Sequence, residues 1–151
     1  MAVVAMTGSD TITINNRLIT GGADGNVVEI TYPNEMSVIK TGKNGNSIIA
    51  LNETGLQAEV VLRLIRGCSD DKYLNEQLNL YQNYFASFVL MNANFTKQIG
   101  DGLGVVTADV YIMSGGVFGK QVEGKSNVEG DTEQSVAIYN LKFSTARRAM
   151  T

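Results

Sequence analysis

The sequence predicts a mainly β protein carrying one α-helix, and three observations carry that expectation. Apolar and polar residues alternate with a period of two over most of the chain. Asparagine- and glycine-bearing turns punctuate the alternation, and a single segment switches to helical spacing. At 151 residues the chain is the size of one domain, 1–151, with one core.

Taken in order, Thr11-Ile12-Thr13-Ile14 sets Ile12 and Ile14 on one side, Asn15-Asn16 turns, and Arg17-Leu18-Ile19-Thr20 completes a hairpin. Gly21-Gly22-Ala23-Asp24-Gly25 breaks the chain. Val28, Ile30 and Tyr32 then face one way, and Glu29 and Thr31 the other, until Pro33 ends the strand because it has no amide hydrogen to give a ladder. Ser37-Val38-Ile39-Lys40 and Ser47-Ile48-Ile49-Ala50 flank Thr41 to Asn46, where Asn44-Gly45 suits a type I′ turn with positive φ at both central residues. The expectation is a projecting hairpin over 37–50. Gln57 to Arg66 is the longest strand, with Ala58, Val60, Leu62 and Leu64 dry and Gln57, Glu59 and Arg63 wet, and is expected at the centre of a sheet.

The helix is expected over 69–85. Ser69 caps it, Asp70 and Asp71 sit where the dipole favours negative charge, and Leu74, Leu78, Tyr81 and Phe85 form one apolar stripe that needs a sheet to pack on. Strands return at Ser87–Phe95 and Val105–Met113, joined by a loop from Lys97 to Gly104, and again at Val117–Glu123 and Gln134–Phe143. The last strand is apolar on both faces, which calls for cover on both. An acidic, glycine-bearing loop from Gly124 to Glu133 precedes it, and 145–151, with Arg147 and Arg148, reads as a short exposed tail.

Composition narrows the function. Charged residues are 18% of the chain against about 25% in an ordinary domain, which predicts surface that neighbouring subunits cover. A net charge of −3 provides no basic stripe for nucleic acid. The first ten residues lack a basic region and a long apolar run, so neither a signal peptide nor a membrane span is expected, and the compartment is cytoplasm-like. Cys68 is the single cysteine, unable to form an internal disulfide and expected as a small buried apolar residue.

The chain has no histidine, which removes the commonest general base and nitrogen ligand, and one cysteine cannot build a thiolate cluster. Asp70 and Asp71, being adjacent on a helix, point apart and do not make a dyad. Glu129, Asp131 and Glu133 lack the register and flanking helices of a calcium loop and read as solvated. Gly100 to Gly104 lacks the strand-then-helix context of a phosphate loop and reads as a turn. No catalytic, cofactor or metal residue is therefore expected, and the protein is not expected to be an enzyme.

Several stretches, weak singly, fall in a telling order: Asp10-Thr11-Ile12-Thr13-Ile14-Asn15, Lys40 to Asn46, Asn52-Glu53-Thr54-Gly55, Leu64-Ile65-Arg66-Gly67 with Asp70-Asp71-Lys72, and Tyr111-Ile112-Met113-Ser114-Gly115-Gly116. Through them the run from Asp10 to Met150 resembles the tail tube (core) proteins of contractile-tailed bacteriophages and phage-like particles. The resemblance implies two packed antiparallel sheets closing toward a barrel-like sandwich beside one helix, as in type VI secretion tubes. It implies hexameric rings whose inner sheets join into one β-barrel, stacked into a tube in the virion tail and assembled in the host cytoplasm. Implied partners are further copies, tail sheath, tape measure protein, baseplate and tail terminator proteins, with DNA passing through unbound and no membrane.

On that reading Lys40, Thr41, Gly42, Lys43, Asn44, Gly45 and Asn46 form the ring-stacking hairpin. Glu29, Glu59 and Asp109 are the carboxylates expected on the channel wall, Glu59 partly offset by Arg63. Alternatives are another β-sandwich virion component, such as a tail terminator or capsid decoration protein, or a secretion-type tube protein. A small hydrolase relying on Glu129 or Asp131 is the enzymatic rival.

Overall fold

The computed structural model describes residues 3–7, 10–23, 25–126 and 132–151. Its strands are β1 (Thr11–Ile14), β2 (Arg17–Leu18), β3 (Val28–Thr31), β4 (Ser37–Thr41), β5 (Ser47–Leu51), β6 (Ala58–Ile65), β7 (Met91–Gly100), β8 (Val106–Phe118) and β9 (Val136–Met150), with one helix, α1 (Ser69–Asn83). Seven strands form one antiparallel sheet in the order β2-β1-β7-β8-β9-β6-β3, and β4 and β5 pair only with each other. The antiparallel, one-helix architecture is as the sequence predicts, but the second sheet is only the projecting hairpin.

The large sheet curls on itself. After β2 the chain crosses to β6, where Ala23 N–H donates to Arg63 O at 3.1 Å and Ile65 N–H to Gly21 O at 2.8 Å. Tyr32, just past β3, donates its hydroxyl to Ala146 O on β9 at 3.1 Å. No ladder joins β2 to β3 among the described residues, so the sheet is barrel-like without being a closed barrel.

One face of the sheet makes the core. On β6 the buried residues alternate as expected, and Ala58, Val60 and Leu62 stand opposite Phe143, Leu141 and Tyr139, all buried. Each fully buried large side chain contributes about 1.5–3 kcal/mol, so this shared row holds the sheet together. Helix α1 lays Leu74 and Leu78 on that face, and Tyr81 packs edge-on against Phe88, 5.3 Å away. Phe85, expected on the same stripe, is past the helix end and exposed, touching only the edge of Tyr81 among the rings.

Both hairpin turns follow from asparagine tolerating positive φ. Asn15 and Asn16 have φ of 52° and 64°, and Ile14 stands opposite Arg17. Cys68, not Ser69, caps α1: its Sγ accepts from Asp71 N–H at 3.3 Å, because Gly67 at φ 86° leaves Cys68 extended just before the first helical residue.

Several boundaries differ from the sequence reading. A short 3-10 turn occupies Phe85–Ser87, so the following strand begins at Met91 and runs through Lys97 to Gly100, residues assigned above to a loop. β8 stops at Phe118, and of Val117–Glu123 only Glu123 makes a later bridge, to Ile138. β6 lies next to the edge strand β3, and the centre of the sheet is β8. The largest correction concerns 145–151: it is no exposed tail, since β9 continues to Met150 with Thr145 opposite Ser114 and Met150 opposite Asp109.

Strand β8 changes face midway. Its register against β7 shifts between Met91 and Ala93, and Gly115 at φ 67° takes up the bulge. Phe118 is buried on one side of the bulge and Met113 on the other.

Candidate assembly interface

The hairpin β4–β5 stands clear of the body, and every residue from Ser37 to Leu51 is exposed. Its tip is the turn expected from Asn44-Gly45: both lie at positive φ, 62° and 78°, and Gly42 N–H donates to Asn46 O at 2.6 Å. Lys40 to Asn46 are thus placed together at the end of an arm, with Lys43 at the turn. At the arm's base, Asn52 N–H donates to Met36 O at 2.8 Å, and Asn52 caps the short turn Glu53–Leu56 through Thr54 N–H at 3.2 Å. The Asn52-Glu53-Thr54-Gly55 stretch therefore fixes where the arm leaves the body.

The three carboxylates expected on a common wall do not share a face. Glu29 and Glu59 alternate with inward residues on β3 and β6, so both point outward, and Lys142 Nζ stands 3.9 Å from Glu59. Asp109 lies on the inward side of β8 with Tyr111 and Met113, where Arg148 grips it through Nε at 2.7 Å and Nη2 at 2.8 Å. Arg148, expected to be solvated, also sits over the Tyr111 ring at 5.9 Å. That paired guanidinium, the larger influence, holds the Asp109 carboxyl below the usual carboxylate range against a smaller opposing effect of burial. In the next position Lys97 stands opposite Asp109 and its Nζ reaches Asp10 at 3.0 Å, giving a row of alternating charge, Asp10, Lys97, Asp109, Arg148. Such a row presents little net field.

Where the sheet fails to close, a cleft of about 710 Å³ separates β1 and β2 from the start of β3, with Ile12, Leu18, Val28 and Phe95 in its wall. The adjoining seam is clipped by Asp70, 2% exposed, which accepts from Thr20 N–H and Gly21 N–H at 2.9 Å each and from Arg17 Nε at 3.0 Å. Burial pushes this carboxyl up, but the two amides and Arg17 outweigh it, so it ends below the ordinary carboxylate value. Asp71 accepts from the Tyr139 hydroxyl and, through its other oxygen, from Gly67 N–H at 2.8 Å. Burial, then the Asp71 carboxylate, push the Tyr139 phenol far up, so it stays a donor. Both helix-start acids are thus engaged in holding α1 to the sheet. Glu129 and Asp131 lie outside the described residues, as does the side chain of Glu133.

Sequence reasoning missed two exposed apolar surfaces. One comprises Leu80 in the last turn of α1 with Tyr84, Phe85, Val89 and Leu90 just after it; the other comprises Leu103, Val105 and Val106 at the β7–β8 tip with Val3 and Val4, which the Ala5–Gly100 bridge brings alongside. Their signal was present as apolar runs without alternation. No helix among the described residues is long and apolar enough to cross a membrane.

The curled antiparallel sheet with its single helix is a fold shared with chains of a contractile injection system. A chain from the cryo-EM structure of an extracellular contractile injection system, the PVC sheath–tube complex in its extended state, superposes with a TM-score of 0.64 at 12% identity, over 94% of this chain and 88% of that one. A chain of the PVC sheath/tube terminator, also extended, superposes with a TM-score of 0.59 at 13% identity, over 95% of this chain and 94% of that one. No protein-family model and no curated protein matches the sequence.

Proposed function

We propose that this chain is a structural, non-catalytic subunit of a tail tube, assembling as stacked hexameric rings into a hollow conduit for DNA. The observation that carries this reading is the fold likeness over nearly the whole of both chains to a component of a sheath–tube complex. The arm adds to it: a two-stranded hairpin without cover is marginal in water, so a fully exposed one makes sense when another subunit receives it. Open edges at β2 and β3 are likewise better satisfied in a shared wall than in solution.

In the proposed particle, Lys40 to Asn46 reach the adjacent ring. Glu29 and Glu59 are the outward carboxylates that would repel phosphate from a channel wall, Glu59 partly offset by Lys142, while Asp109 is neutralised by Arg148. Sheath, tape measure, baseplate and terminator proteins would be the partners, in a virion tail built in the host cytoplasm.

A second reading, a terminator subunit, is favoured by the likeness to the sheath/tube terminator chain. A terminator forms one ring and stops, so polymer length separates the two. Deleting Lys40 to Ser47 is expected to leave a folded protein that makes single rings but no stacks, seen by negative-stain microscopy. Tubes of undiminished length from that variant would remove the arm from the account, and unstacked rings from the unaltered chain would favour the terminator.

A further inference from the structure

The register of the arm shows that both of its faces carry apolar residues. Paired residues of an antiparallel hairpin point the same way, so Ile39, Ile49 and Leu51 share one face, and Val38, Lys40, Ile48 and Ala50 share the other. Ile39, Ile49 and Leu51 are 65%, 71% and 72% exposed, and Ile48, opposite in direction, is 67% exposed. A hairpin that lies on a surface needs one apolar face; one that is apolar on both needs cover on both.

Charge names the cover. Residues 37–51 hold Lys40 and Lys43 and no carboxylate, so the arm is +2 in a chain of −3, leaving −5 for the rest of the molecule. The arm is complementary in charge to the body of its own kind, and all of its residues are exposed. The two exposed apolar surfaces of the body lie at opposite ends of β7, whose ten residues at about 3.3 Å each set them roughly 30 Å apart. A hairpin between packed layers occupies about 10 Å to each side, so one copy cannot close both surfaces onto one arm. Glu76 precedes Leu80 by one helical turn and gives that surface a carboxylate for an arm lysine, while Asp101 beside Leu103 accepts through Oδ1 from the Leu103 and Val105 amides and has Oδ2 left to face one.

We infer that the arm is a wedge between two further copies of this chain. One covers it with the surface around Tyr84, Phe85 and Val89, the other with the β7–β8 tip around Leu103 and Val105. This rests on the self-assembly proposed above and adds that each arm joins three chains rather than two.

The test uses the full chain in a Cys68→Ser background, where a hydroxyl oxygen replaces the Sγ that caps α1. Ile39→Cys and Ile48→Cys are introduced together and both thiols labelled with a benzophenone maleimide. Labelled protein is mixed into a large excess of unlabelled protein, assembled, irradiated and run on a denaturing gel, with light scattering on the same samples. The expected result is a three-chain adduct, with attachments mapped by mass spectrometry to 80–90 in one partner and to 3–6 or 103–106 in the other. Two-chain adducts alone, from particles that scattering shows to be assembled, overturn the wedge while leaving the tube reading intact. Attachments confined to other regions overturn the assigned surfaces. Absence of assembly in the unlabelled chain overturns the tube reading and the wedge together. Ala50→Cys with Leu51→Cys, again one thiol on each face, repeats the test should the first pair perturb assembly.

Discussion

Replacing Asp70 with alanine is expected to cost about 3 kcal/mol of folding stability, read as a fall of roughly 10 °C in Tm. The carboxylate satisfies the amides of Thr20 and Gly21, in a place where nothing else fits: a Cβ on Gly21 would lie 2.6 Å from Cys68 Sγ. Alanine leaves both amides without a partner in this closely packed seam, and the segment they belong to is the link between β1–β2 and β6. The same group predicts an acid response. Its folded carboxyl titrates below the unfolded one, so its contribution is whole above the ordinary carboxylate value and is lost as pH falls through the lower, folded one. Thermal melts at neutral pH and about pH 3 should show the wild type losing stability that an Asp70→Asn variant, already weakened at neutral pH, does not lose again. A wild type and variant with parallel pH profiles would mean the clip is not formed.

Gly116→Ala is the second large effect, about 2 kcal/mol or more by chemical denaturation. Its Cβ would stand 2.5 Å from Phe143 Cε1 and 3.0 Å from Met91 O, in the row that ties β7, β8 and β9 together. Phe143 is buried and the Met91 oxygen is backbone, so neither can move aside cheaply. Gly119→Ala is the control: its Cβ would meet only the flexible stem of Lys142, at 3.1 Å, and should cost little. Equal losses at the two positions would place the constraint in backbone freedom rather than in contact with Phe143.

Local features of the fold were legible and distant ones were not. Asn15-Asn16 and Asn44-Gly45 fix their turns by their own φ preferences, and the alternation of Ala58, Val60, Leu62 and Leu64 names the inward face of β6 without help from its neighbours. The end of β9 was hidden because Thr145, Arg147 and Arg148 are polar, and the group that draws Arg148 onto the sheet, Asp109, is 39 residues away. That Asp109 does not share the face of Glu29 and Glu59 was hidden for a related reason. Both faces of β8 carry apolar residues, and the bulge at Gly115 shifts the phase of the strand, so alternation near Met113 does not continue that near Phe118. The arm was foreseen as a hairpin, but that both of its faces are apolar and exposed became visible only in its pairing register and burial.

These features converge on a subunit left incomplete on its own: among the described residues, sheet edges without ladders, an exposed arm and exposed apolar ends. Negative-stain microscopy of the purified chain across a concentration series, paired with light scattering, tests this most directly. The expected result is scattering that rises with concentration alongside hollow cylinders built of sixfold rings. A monodisperse monomer that persists at the highest concentrations would contradict it.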